Sequence, residues 1–171
     1  MIVRTATGDD IVALTALYND LGVATTASYD LHPALLDERR AWLAEHDTHG
    51  WPVLVADDDG PVIGFAAYGA FRAKPGYRFT AEHTVYVAPD HQGRGVGRAL
   101  MSVLIEHARA AGLHAMVGVV DAENTNSIAF HESLGFQTVG AIPEVGRKFG
   151  RWLTSVYQVL ILSKEDPDED Q

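Results

Sequence analysis

The chain has 171 residues, 47% hydrophobic and 21% charged, a balance that suits one globular domain and excludes a disordered or fibrous chain. It has no cysteine, which removes disulfide scaffolds, zinc ribbons, iron–sulfur sites and thiol nucleophiles together. The formal net charge is −10, so repulsion from a phosphate backbone argues against nucleic acid as a partner. Yet eight of the 13 basic residues fall in three acid-free segments, 72–78, 94–98 and 147–151, which suit a small anionic ligand.

Residues 2–6 predict a short strand. Thr7 can cap a helix, with Asp10 in the capping-box position, and Ile11, Leu14, Tyr18 and Leu21 mark the apolar stripe of that helix. A polar loop, 23–32, follows. Pro33 is expected to open a second helix that buries Leu35, Leu36, Trp42 and Leu43. Residues 53–56 predict a strand, Asp57-Asp58-Asp59-Gly60 a hairpin turn, and 62–71 the returning strand. That run is the longest nearly apolar one, about half of what a membrane span needs. Residues 1–10 hold no basic or apolar leader, so the expectation is a cytoplasmic protein with no membrane partner. A basic loop with Pro75-Gly76 spans 72–80, and 82–87 predicts a strand. Val96, Leu100, Val103, Leu104, His107, Ala108 and Ala111 line one side of a helix that ends at Gly112. A strand at 114–120, a short helix at 124–134 stopped by Gly135, and strands at 136–141 and 152–162 complete the pattern. Glu165, Asp166, Asp168, Glu169 and Asp170, grouped around Pro167, read as a disordered acidic tail, which leaves 1–164 as a single domain. The alternation implies a mixed α/β sheet with helices on both faces.

The strongest local signal is Gln92-Gly93-Arg94-Gly95-Val96-Gly97-Arg98, between a strand and an amphipathic helix. Glycines at 93, 95 and 97 leave backbone N–H groups open to a phosphate. The helix N-terminus adds partial positive charge, and Arg94 and Arg98 add full charges. Two other readings compete: a dinucleotide fingerprint with Asp121 as its acid, and a plain glycine-rich turn. The fingerprint lacks its third glycine, since Arg98 stands there, and 88–91 part the strand from the motif. No Gly-Lys-Ser/Thr follows, which excludes a P-loop. His46 and His49 lie three apart with no third ligand nearby, so no metal is expected, and no G-x-S-x-G elbow supports a serine hydrolase.

Gln92-x-x-Gly95-x-Gly97 resembles the pyrophosphate-binding signature of the GNAT N-acetyltransferases. Glu82-His83-Thr84-Val85-Tyr86-Val87, Phe130-His131-Glu132-Ser133-Leu134-Gly135-Phe136 and Gly146-Arg147-Lys148-Phe149-Gly150-Arg151-Trp152 resemble the phosphinothricin / methionine sulfoximine acetyltransferase subfamily. The resemblance implies a GNAT fold with a mixed, mostly antiparallel sheet, acetyl-CoA as co-substrate, and a small amino-acid-like acceptor. It also implies a homodimer with acceptor sites near the interface. Trp152, Phe149 and the apolar run 156–162 fit such an assembly, with 148–152 expected close to it.

The resemblance also assigns roles. His131 stands where the general family carries a tyrosine that protonates the departing thiolate, and an imidazole can hold or give a proton near neutrality. Helical spacing puts Asn124, Ser127 and His131 on one face toward the coenzyme cleft. Glu82 is the candidate base for the attacking ammonium, with His83 as a rival or as its orienting partner. Strict alternation puts Glu82, Thr84 and Tyr86 on one face and His83, Val85 and Val87 on the other, a count that a bulge would upset. Backbone N–H groups around Val85, Tyr86 and Val87 are expected to hold the thioester oxygen. Arg72, Ala73, Lys74 and Arg78, with Glu82, His83 and Thr84, are expected to hold the acceptor, and the loop Ala24-Thr25-Thr26-Ala27-Ser28-Tyr29 offers hydroxyls to the same cleft. The alternatives are a GNAT acting on a polyamine or a protein N-terminus, and a non-catalytic acyl-CoA sensor that would need neither Glu82 nor His131.

Overall fold

The computed structural model describes residues 1–58 and 60–163. Asp59 of the expected hairpin turn and the acidic run 165–171 lie outside the described residues. The strands are β1 (Ile2–Thr5), β2 (Val53–Asp57), β3 (Val62–Ala70), β4 (Thr80–Val87), β5 (Ala115–Asp121), β6 (Gln137–Lys148) and β7 (Arg151–Ile161). The helices are α1 (Ile11–Tyr18), α2 (Leu36–His49), α3 (Val96–Ala110) and α4 (Thr125–Glu132). The strands form one sheet in the order β1-β2-β3-β4-β5-β7-β6, antiparallel throughout except for the β4–β5 pair. Among the described residues no helix is long and apolar enough to cross a membrane.

Alternating side chains of β2 and β3 divide the core between the two faces of the sheet. Val53, Val55, Phe65 and Ala67 meet Leu14 of α1 on one face, with Trp42 and Leu43 of α2 packed against them. Leu54, Ala56, Ile63 and Ala66 meet Leu100, Leu104 and Ala108 of α3 on the other. The α3 stripe lies about one position round from the expected one. Met101 and Ile105 are buried where Val103 and His107 were expected, because 96, 100, 101, 104, 105 and 108 form the face turned to the sheet.

Two other expectations fail for identifiable reasons. Pro33 does not open α2, which starts at Leu36, and Leu35 and Leu36 are exposed. Leu35 sits at the N-cap, where the Glu38 carboxylate accepts from its backbone N–H at 2.8 Å. The buried residues of α2 are Arg39 and His46. β6 does not stop at 141 but runs to Lys148. Pro143 and Gly146 lie within it: β6 is an edge strand, and its register shifts between Ile142 and Gly146 absorb them.

What positions the site is the way β4 and β5 part. They pair only at Thr80–Ala115, Ala81–Met116 and Glu82–Val117. Beyond that, β4 stays paired with β3 as far as Val87, and β5 with β7 as far as Asp121, so a notch opens in mid-sheet.

Candidate active site

The register of β4 on β3 is unbroken from Ala81 to Val87, so no bulge disturbs the alternation. Tyr86 packs with Phe65 on the α1/α2 face, and Val85 and Val87 pack on the α3 face. Glu82 and Thr84 share Tyr86's side by the same alternation. They line a cavity of about 640 Å³ at the notch, and His83 reaches its wall. Thr26, Ser28 and Tyr29 of the early loop line the same cavity, as do Tyr18, Arg39 and Trp42 from the helices and Asp121 and Ser155 from β5 and β7.

Burial raises the pKa of the Glu82 carboxyl, opposed by the Arg72 guanidinium 3.6 Å away. A carboxylate raised toward neutrality is better matched to taking a proton from an ammonium. His83 is buried with neither ring nitrogen bonded, and burial, helped by His131, pushes its pKa down to about 3. The two imidazoles lie 4.9 Å apart between centroids, and each has the Phe136 ring beside it. Gly118 makes room for them: a Cβ there would lie 3.0 Å from His83 Nε2 and 3.6 Å from His131 Nε2. Burial also lowers the pKa of His131. Its Nδ1 lies 2.6 Å from the Ser127 carbonyl, which can only accept, so the ring proton sits on Nδ1 and the buried Nε2 is a bare acceptor. Ser127 lies one turn before His131, its Oγ 3.5 Å from Nδ1. The Asn124 side chain caps α4 by accepting from the Ser127 N–H at 3.1 Å.

The glycine-rich loop divides its labour. Gly93 and Gly95 have φ of +72° and +85°, a region that favours glycine, and nothing lies within 4 Å of where a Cβ would stand. Gly97 has a packing reason instead, since its Cβ would meet the Phe130 ring of α4 at 3.2 Å. Gln92 donates from Nε2 to the Val87 carbonyl at 3.0 Å, tying the loop to the end of β4. Val96 is buried, Arg94 is exposed, and Arg98 donates to Ser133 Oγ at 2.9 Å.

The basic loop is less gathered than expected. Arg72 reaches Glu82, but Ala73, Lys74 and Arg78 do not line the 640 Å³ cavity, and Arg78 lies over the Phe79 ring. The cation on the cavity wall is Arg39, which sequence reasoning missed because Asp37-Glu38-Arg39-Arg40 reads as a solvated helix face. Lys148 was missed as well. It is buried within the chain and donates from Nζ to the carbonyls of Thr25 and Ser28 at 2.7 and 2.6 Å. That ties the early loop to β6. Tyr29 beds on the same hairpin, where a Cβ at Gly146 would overlap its ring. None of these contacts leaves a local signal, since each joins residues more than 100 positions apart. His46 and His49 each turn Nδ1 to the carbonyl four residues back, Trp42 and Glu45 respectively.

A strand-notch–helix sheet of this topology, with an open glycine turn at the head of α3, defines an acyl-transfer fold, and the comparisons agree. Residues 14–136 match the model of the acetyltransferase (GNAT) family. The chain is 42% identical over 164 residues to the L-methionine sulfoximine/L-methionine sulfone acetyltransferase of Salmonella typhimurium, covering 96% of each. It is 39% identical to the phosphinothricin N-acetyltransferase of Alcaligenes faecalis, covering 90% of this chain and 79% of that one. The solved structure of yncA from Salmonella typhimurium with its cofactor acetyl-CoA superposes with a TM-score of 0.95 at 41% identity, covering 99% of this chain and 98% of the other. The chain belongs to the GNAT acetyltransferase family.

Proposed function

We propose that this enzyme transfers acetyl from acetyl-CoA to the α-amine of a small amino-acid-like acceptor of the methionine sulfoximine, methionine sulfone or phosphinothricin type. The observation that carries the reading is the half-buried Glu82 at the mouth of the mid-sheet notch, with the open Gly93–Gly95 turn at the far end of the same strand. The turn and the α3 N-terminus hold the pyrophosphate, with Arg94 and Arg98 beside it. Glu82 takes one proton from the acceptor's ammonium and passes it to solvent. The free amine attacks the thioester carbonyl, and the oxygen, as it gains charge, takes N–H groups around Val85–Val87. The C–S bond then breaks. Bare Nε2 of His131 accepts the second proton from the nitrogen and gives it to the departing sulfur, which leaves as the thiol.

In this reading the protein is cytoplasmic and homodimeric. Val139, Ile142 and Val145 of β6, with Phe149 and Trp152, are exposed apolar side chains on one hairpin, enough to support a self-association surface. Sedimentation should give a dimer. The function is tested by an amine panel with acetyl-CoA, read out as thiol release. Methionine sulfone, methionine sulfoximine or phosphinothricin should lead. A panel led by spermidine or a peptide amine would overturn the acceptor assignment.

A further inference from the structure

Arg39 is 6% exposed, and its Nε is buried with no hydrogen-bond partner. Its guanidinium carbon lies 4.1 Å from the centre of the Tyr18 ring and 4.6 Å from that of Trp42, so two aromatic faces fix the plane of the fork. Burial lowers its pKa. No ion pair joins it to a carboxylate among the described residues, although four acids stand on the same cavity wall. Each is engaged elsewhere: Asp30 takes the Tyr18 hydroxyl, Glu38 the Leu35 N–H, Glu82 faces Arg72, and Asp121 takes the Glu123 N–H. A buried guanidinium on the wall of an open cavity, attracted by Asp30 but ion-paired with no carboxylate among the described residues, is a group that an anionic ligand can complete.

We propose that Arg39 reads the oxygen-bearing head at the far end of the acceptor's side chain, an assignment that rests on the acceptor class given above. Arg39 lies on the cavity wall, Arg72 stands beside Glu82, and the acceptor has two oxygen-bearing ends. The α-carboxylate is one carbon from the amine, so with the amine at Glu82 it belongs beside Arg72. The side chain then runs along the aromatic wall of Phe65, Tyr86 and Trp42 and ends at Arg39. A planar fork suits a tetrahedral head that offers two oxygens, as a phosphinate or sulfone does, and a thioether gives it nothing.

The test is calorimetric binding of phosphinothricin, methionine sulfone and methionine to wild type, Arg39→Met and Arg39→Lys at saturating coenzyme A. A hydrogen-bonded charged group carries about 10- to 150-fold in affinity. Wild type should bind phosphinothricin and the sulfone more tightly than methionine by that order. Arg39→Met should bring the ratio near one while coenzyme A affinity holds, and Arg39→Lys should restore part of it. A ratio unchanged in Arg39→Met, or no phosphinothricin binding to wild type, overturns the assignment. Should Arg39→Met fail to fold, an unchanged ratio in Arg39→Lys overturns it equally. Binding that depends on Arg39 without thiol release would instead sink the acetyl-transfer reading and leave Arg39 standing.

Discussion

Replacing Lys148 by methionine keeps the length and the apolar stem of the side chain but removes its two short hydrogen bonds to the Thr25 and Ser28 carbonyls. Bonds from a charged donor contribute ~1.5–3 kcal/mol each, so the pair is worth roughly 3–6 kcal/mol if nothing relaxes. Thr25 is exposed and Ser28 half-buried, so water can reach the freed carbonyls and recover part of this. The expected loss is therefore about 2–4 kcal/mol. For a domain of this size that lowers Tm by roughly 5–15 °C. The loop that loosens carries Thr26, Ser28 and Tyr29 of the cavity wall and none of the glycine-rich turn. KM for the acceptor should rise several-fold while KM for acetyl-CoA stays within about twofold. Urea denaturation gives the stability, and steady-state thiol release with each substrate varied gives the split. A stability loss under about 1 kcal/mol with acceptor KM unchanged would refute the idea that Lys148 holds the loop in place.

Glu82→Gln should lower turnover ~100–10,000-fold with acetyl-CoA binding intact, and an active Glu82→Gln enzyme would remove Glu82 from the chemistry. Since Arg72 holds down a carboxyl pKa that burial raises, Arg72→Met should move the acid limb of the kcat/KM profile to higher pH; a limb that stays put would mean another group sets it. His83 and His131 are buried with pKa values below the ordinary 6.5. As pH falls below about 6.5 the unfolded chain therefore binds protons that the folded chain refuses. Stability should drop by about 1.4 kcal/mol per pH unit for each until its folded value is reached, near pH 3 for His83. His83→Phe should remove one share of that slope, as urea midpoints between pH 6.5 and 4.5 would reveal. Gly95→Glu places a carboxylate in the open turn at φ +85°, and the rise in Tm that acetyl-CoA gives wild type should vanish in differential scanning fluorimetry.

The fold was legible because its elements are locally encoded. The short apolar runs of β2 and β3, the alternation of β4, the glycine ahead of α3 and the glycine behind α4 each speak for their own segment. The boundaries that failed did so where tertiary context overrides a local rule. Leu35 and Leu36 look buried by composition but sit at a helix end, and Pro143 breaks a strand only when both edges must pair. The candidate residues Glu82, His83, His131 and the 92–98 turn could be named from short motifs because a family resemblance attaches roles to them. The Arg39 side of the cavity left no such motif. Arg39 is chemically a surface residue in a charged helix, and only Tyr18, Trp42 and the sheet beneath make it an interior one. Gly97, read as part of the phosphate turn, has in addition a packing reason in the Phe130 ring, which no local pattern announces.

The parting of β4 from β5 turns an interior strand into one with an exposed border. Alternate amides of 83–87 are tied to β3, while the intervening ones point into the notch, where the described residues supply no facing strand. Deuterium should therefore enter this stretch in a period-two pattern, fast at one residue and slow at the next, in the middle of a seven-stranded sheet. Unpaired borders of this kind ordinarily invite a stray strand from another molecule, and proteins blunt them with charge or cover. Here the border lies in mid-sheet between β4 and β5, with the imidazoles of His83 and His131 packed together beside it. A border flanked by strands of its own sheet on both sides keeps its free amides in the interior of the sheet instead of at its rim.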